Sequence, residues 1–388
     1  MIWVLLMIAT FVATGIAACA YARSRDLDIW LVPYLRRKLR QPQTPPNGLV
    51  HILLAVTDHY EPRFNNVSLE HERRRVNFWV KRLPQFASRH RDYHQRNYRH
   101  TFFFPEEEYR EEHLDRLAAL CRAGYGDVEI HLHHDRDSAA GLTEKLTRFK
   151  HILHSRHGLL HRNPATGEIE YAFIHGNWAL DNSDGGRHCG VDNELEVLRQ
   201  TGCYADFTLP STPSRTQTRK VNSIYYATGH PYRRKSHDSG VDVEAGREHE
   251  GDLMLIQGPL ALNLKSRKCG LLPRVENGEL SGDNPPTPER ARLWIHEAIH
   301  VKGRPDWIFV KLHTHGCNER NMEAVLGQAM ERTLTFLETN YNDGKRYALH
   351  YVSAREMYNI VKAAEAGCAG DPDNFRAFRS AVPEEVAC

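Results

Sequence analysis

Residues 127–137 read DVEIHLHHDRD, and the course of this stretch decides the fold. Drawn out as a strand, its side chains alternate, so Val128, Ile130 and Leu132 share one face while Glu129, His131 and His133 share the other. The apolar face suits packing against helices. The polar face then points inward, where an unpaired polar group costs about 1–3 kcal/mol. A metal ion or a hydrogen-bond network accounts for such a row better than solubility does. His134 and Asp135 are expected to begin a turn.

The same grammar repeats on either side: a short apolar run, a polar cluster at its end, then a helical pattern. The runs include LVHILLAVTDHYEP (49–62), RHTFFFPEEEY (99–109), YAFIHGNWALDN (171–182), CYADFTLP (203–210), DLMLIQGPL (252–260), DWIFVKLHTHG (306–316) and RYALHYVSARE (346–356). Strand and helix in alternation imply parallel pairing, and the expected fold is an α/β class (β/α) barrel of about seven to eight parallel strands. In such barrels the chemistry sits at the C-terminal strand ends. Asp58, His59 and Glu61 follow the first run, His133 to Asp137 the third, and His175 and Asn177 the next. Asp206 lies in the fifth run, and His313 and His315 in a late one.

The chain has 388 residues with 51 Lys+Arg against 49 Asp+Glu, so no global positive field suggests a nucleic-acid partner. The eight cysteines form no CxxC pair, which removes a zinc ribbon. Residues 1–22 carry no charge, a length expected to cross a hydrocarbon core of about 30 Å as a single transmembrane helix. Arg23, Arg25, Arg36, Arg37, Lys38 and Arg40 follow, so the positive-inside rule predicts a single-pass membrane anchor with the catalytic domain in the cytoplasm. A cleavage site at Ala18-Cys19-Ala20, or a lipoprotein box ending at Cys19, would instead place it in the periplasm or outside the cell. The expected division is an anchor over 1–22, a basic juxtamembrane segment and Pro-rich linker over 23–48, the barrel over 49–367 and a C-terminal tail over 368–388.

The order of these clusters resembles the polysaccharide deacetylase superfamily (NodB-like, carbohydrate esterase family 4), as a divergent member with a distorted TIM-like barrel. The stretches VTDHYEP, EIHLHHDRD and VKLHTHG carry the likeness. The resemblance implies a divalent metal held by Asp58, His133 and Asp137, zinc first, with cobalt, nickel or manganese as alternatives. It implies catalytic roles for Asp58 and for His313, the latter as proton donor. Thr57 stands where the family has its base Asp, and Asp137 where it has a second His. His59 and Glu61 are further candidates for holding the metal, and His131 for a ligand or a supporting partner.

The function so implied is a metal-dependent hydrolase removing N- or O-acetyl groups from a polysaccharide or lipid-linked sugar, a non-peptide C–N hydrolase in the first case. His175, Asn177, Trp178 and Asp206 are expected to line the substrate site. Trp178 offers a flat surface to a sugar ring. Arg215, in a basic loop, suits an anionic or lipid-linked carbohydrate. The alternatives are an amidohydrolase-like enzyme using His131-x-His133, a glycoside hydrolase using Asp58 and Asp206 as its carboxylate pair, or a catalytically inactive membrane-anchored glycan-binding protein.

Overall fold

A computed structural model describes residues 2–40, 47–268 and 272–379. The strands, in chain order, are β1 (Val50–His59), β2 (His100–Pro105), β3 (Gly126–Leu132), β4 (His161–Arg162), β5 (Ile169–His175), β6 (Cys203–Asp206), β7 (Ile224–Ala227), β8 (Val241–Asp242), β9 (Leu253–Ile256), β10 (Ala261–Lys268), β11 (Leu272–Glu276), β12 (Trp307–Thr314) and β13 (Tyr347–Tyr351). The helices are α1 (Ile2–Ser24), α2 (Leu27–Arg40), α3 (Leu69–Ala87), α4 (Glu111–Arg122), α5 (Ala139–His157), α6 (Glu194–Gln200), α7 (Pro288–His296), α8 (Glu319–Leu326), α9 (Gln328–Asn340) and α10 (Ala354–Glu365).

Eleven of these strands form one mostly parallel sheet whose main path runs β12-β1-β2-β3-β5-β6-β9-β7-β8. The α/β class and the parallel core match the expectation from sequence, but among the described residues the strands do not close into a barrel. The reason lies at β9, which pairs with β6 on one edge and with the antiparallel β7 on the other. No edge of β9 is left to meet β12. The outer edge of β12 is instead covered by loops, with Leu280 N–H donating to His313 O at 2.8 Å, His313 N–H to Gly278 O at 3.0 Å and Phe309 N–H to Ile299 O at 2.8 Å. This satisfies the backbone without strand closure.

The period of two divides the core. Ile52, Leu54, Val56, Phe102, Val128, Ile130, Leu132, Phe173, Val310 and Leu312 pack on the side that meets α3, α4, α5 and α9. Leu53, Ala55, Phe103, Ile174, Ala205 and Phe309 face the other way, into a second cluster closed at one end by Met357, Ile360 and Val361 of α10. The strand reading of residues 127–133 therefore matches the structure. Glu129, on the inner side, takes the backbone N–H of Ala172 at 2.6 Å and the Tyr204 hydroxyl at 2.7 Å, beside Arg355 at 3.1 Å.

The structure contradicts the membrane anchor expected over residues 1–22. A crossing helix needs about 20 consecutive apolar residues, and among the described residues no helix is long and apolar enough to cross a membrane. The single-pass localisation and the choice of membrane side fall with it. The basic segment after it folds as α2, whose Trp30 and Tyr34 bury against Val221, Leu260 and Ala261 rather than at headgroups. Lys38 pairs with Glu297 at 3.0 Å. Residues 41–46 of the Pro-rich linker lie outside the described residues. At the other end, Phe375 packs 5.9 Å from Trp307 and Arg376 pairs with Asp92 at 3.1 Å, while residues 380–388 lie outside the described residues.

Candidate metal centre

Strand alternation brings His131 and His133 to the inner mouth of the sheet, and the chain leaving β1 brings Glu61 to meet them. Glu61 Oε1 lies 3.6 Å from His131 Nε2 and 3.2 Å from His133 Nε2, and Oε2 lies 2.8 Å from His315 Nδ1. Both histidines are held from behind. His131 Nδ1 sits 2.8 Å from the carbonyl of Ile174, and His133 Nδ1 sits 2.6 Å from Glu107 Oε1. An imidazole whose Nδ1–H is donated to a carbonyl or carboxylate turns an Nε2 lone pair forward, which is how metal-ligating histidines are oriented.

His131 Nε2 is buried and has no hydrogen-bond partner among the described residues. A lone pair facing a carboxylate oxygen is repulsive unless a cation lies between them. Glu61, His131 and His133 offer ligand atoms that all lie within 4.8 Å of one another, so this group could hold a metal ion. Gly176 presses on the same ring: a Cβ there would meet His133 Cδ2 at 2.3 Å. That close approach fixes the imidazole plane.

The surrounding field favours a cation. Burial pushes the Glu61 carboxyl up, yet His131, His133 and His315 outweigh it and hold it well below the usual carboxylate range. Burial pushes His133 down, but without a metal ion Glu107 and Glu61 outweigh it and raise it to about 10, so that a proton on Nε2 takes the place a metal ion would fill between His133 and Glu61. His131 and His59 are pushed down, first by burial and then by neighbouring imidazoles. His59 packs its ring 4.8 Å from that of His131 and 4.5 Å from that of His315. Trp178 closes the mouth, its ring 5.5 Å from His315 and its buried Nε1 without a hydrogen-bond partner among the described residues.

The other residues read from sequence are dispersed. Asp58 points to the helix side, fully buried, accepting from His100 Nε2 at 3.0 Å and from the Gly316 N–H at 2.6 Å. Burial pushes its carboxyl up. It therefore does not join His133. Asp137 bonds Lys145 at 2.6 Å and lies 3.3 Å from His134 Nδ1, away from the Glu61 group. His313 faces inward one step below His315; it is only 2 % exposed, and burial and then Lys311 push it well down. Asp206 is buried and bonded by Thr208, with burial raising it to about 6. Asn177 and Arg215 are exposed, and Thr57 bonds the carbonyl of Leu312 at 3.0 Å.

His134 and His175 meet behind the strands with Cys189 and Glu194, a second group able to hold a metal ion. His134, expected at a turn, is a member of this buried group, and Glu107, Cys189 and Glu194 are not among the residues expected from the sequence. For His134 a signal existed, since it shares its parity with Leu132 and so belongs to the helix side. Cys189 and Glu194 had none, because they sit in an irregular loop and at a helix start more than 50 positions from His134. At the far end of the sheet, His51, His350 and Asp371 also cluster, but there His51 Nδ1 and His350 Nε2 pair with each other at 2.9 Å. No family model and no curated protein matches the chain.

Proposed function

We propose that the chain is a metal-dependent hydrolase acting on a carbohydrate, removing N- or O-acetyl groups, with Glu61, His131 and His133 holding a divalent ion, zinc first. The observation that carries this reading is the buried, unpartnered His131 Nε2 aimed at Glu61 from 3.6 Å. Two imidazole nitrogens and one carboxylate oxygen suit zinc, and three protein ligands leave a position open. When bound, the ion supplies Lewis-acid polarisation of a carbonyl and lowers the pKa of water.

The chain's own residues do the rest. Glu107 fixes the ring of His133, whose side chain is 32 % exposed and so borders the opening. His315, hydrogen-bonded to Glu61 through Nδ1 and 24 % exposed, holds a proton at the mouth and presents its ring to a leaving group. That assigns to His315 the proton-donor role which the family resemblance gave to His313, one step deeper. Trp178 supplies a flat face and an indole N–H beside it, consistent with sugar binding. Asp58 is shut behind β1, which leaves the glycosidase pairing with Asp206 without support.

Metal analysis of the purified full chain, followed by acetate release from N- and O-acetylated glycans on zinc-loaded protein, tests this. Bound metal lost in Glu61→Gln, together with acetate release, supports the proposal. The full wild-type metal content retained in Glu61→Gln and in His131→Ala alike, with no equivalent lost, would sink it.

A further inference from the structure

We propose that His134, His175, Cys189 and Glu194 form a second metal site, sealed on the helix side of β3 and β5, which holds a structural zinc ion. The four residues come from separate parts of the chain: the end of β3, the end of β5, the loop before α6 and the first turn of α6 itself. Their ligand atoms lie within 4.8 Å of one another, and all four residues are buried.

The geometry is that of a ligand shell. His134 Nε2 lies 3.0 Å and His175 Nε2 3.3 Å from the same oxygen, Glu194 Oε1, and Cys189 Sγ lies 3.5 Å from Oε2. Ligands held at about 2.0–2.3 Å from a tetrahedral ion stand about 3.3–3.8 Å apart, so these separations need only small adjustment to admit zinc. His175 is oriented for it, with Nδ1 at 2.5 Å from the carbonyl of Gly176 and Nε2 buried, without a hydrogen-bond partner among the described residues. Glu194 is fixed by the Asp181 N–H at 2.6 Å. The loop is pinned too. Gly190 has φ +100° and a Cβ there would meet Asp137 N at 2.6 Å, so only glycine lets Cys189 approach the strand end.

Two nitrogens, one sulfur and one carboxylate oxygen form a borderline-soft, four-member set. With four protein ligands and no exposed member, the site has no position for substrate. Its work is to tie the irregular 176–193 stretch to β3, which steadies Trp178 on one side and His133 on the other. This site does not depend on the Glu61 group, and the two differ in one decisive respect, since only this one contains sulfur.

The test uses the full chain loaded with cobalt(II), with metal content measured alongside the near-ultraviolet thiolate-to-cobalt charge-transfer band. The expected result is two equivalents and a band in the wild type. In Cys189→Ser the band disappears and the content falls to one equivalent, while Glu61→Gln keeps the band. If Cys189→Ser fails to fold, X-ray absorption of zinc-loaded wild type decides, one sulfur neighbour at about 2.3 Å per chain, averaging to about half a sulfur per zinc when both sites are filled, supporting the site. One equivalent with a sulfur neighbour supports this site and removes the Glu61 centre. Bound metal with no sulfur neighbour, or no bound metal, overturns it.

Discussion

His133 and His134 are adjacent in sequence and serve different groups. His133 belongs to the mouth, with Glu61, His131 and His315; His134 belongs to the sealed cluster, with His175, Cys189 and Glu194. The exposures separate them: 32 % for the His133 side chain and 24 % for His315, against 1 % for His134 and 0 % for His175. A site that turns over substrate needs an opening, and one that holds a fold together does not. The strand's period of two is enough to sort identical neighbours into these two chemistries.

The largest expected effect breaks the mouth alone. Glu61→Gln removes the charge that three imidazoles share, so acetate release should fall at least about a hundredfold, a loss typical of a transition-state stabiliser, while the thiolate band persists. Unchanged turnover in that variant would erase the distinction between the groups. Next comes Cys189→Ser, which breaks the sealed group and leaves buried nitrogens uncompensated. Chemical denaturation should show a stability loss of about 2–4 kcal/mol. A midpoint within error of the wild type would mean that the buried group holds nothing.

Much of this was legible beforehand, and where it was not, the cause is physical. The row Glu129-His131-His133 could be read because β3 is apolar on one face only. β1 hid its parity: Val50 to Val56 is almost wholly buried on both faces, as parallel strands are, so nothing in VHILLAVTDH told that Asp58 faces the helices. The barrel failed for a similar reason. Strand segments carry no mark of which edge stays free, and the antiparallel β7 that takes the edge of β9 lies in a stretch rich in turns. Glu194 meets His134 across 60 positions, a pairing that only the folded chain defines.

A smaller effect sharpens the mouth. Glu107 stands behind His133 and fixes its Nδ1 at 2.6 Å. Glu107→Gln keeps an acceptor and deletes the charge, so metal affinity at the mouth should weaken about 10–100-fold. Titration with a competing chelator measures this, and the cobalt–thiolate band should be unmoved. Equal weakening at both groups would show them to be one coupled centre rather than two.

The last prediction concerns the ground beneath the mouth. Lys311 is fully buried on the inner face of β12, two residues below His313, with its Nζ donating to the carbonyl of Leu209 at 2.9 Å. Burial pulls its pKa down to about 7, only partly offset by Asp206. The unfolded chain, with an ordinary lysine near 10.4, binds more protons than the folded one between those values, so Lys311 contributes a stability that rises with pH across that window, by at most about 1.4 kcal/mol per pH unit, against the opposite contribution of His133, raised to about 10 without metal. Below about pH 7 the lysine is protonated in both states and this contribution to the slope ends. Lys311→Met should remove the Lys311 part of the slope and, by removing the cost of burying the amine, gain about 1–2 kcal/mol at neutral pH, the gain being limited because the methionine forfeits the Leu209 hydrogen bond and leaves Asp206 without its counter-charge. Denaturant midpoints at pH 7 and pH 10 measure both. The same slope in wild type and Lys311→Met would place the titrating group elsewhere, whereas a Cys189→Ser background should leave the slope intact, because the sealed cluster lies on the opposite face of the sheet.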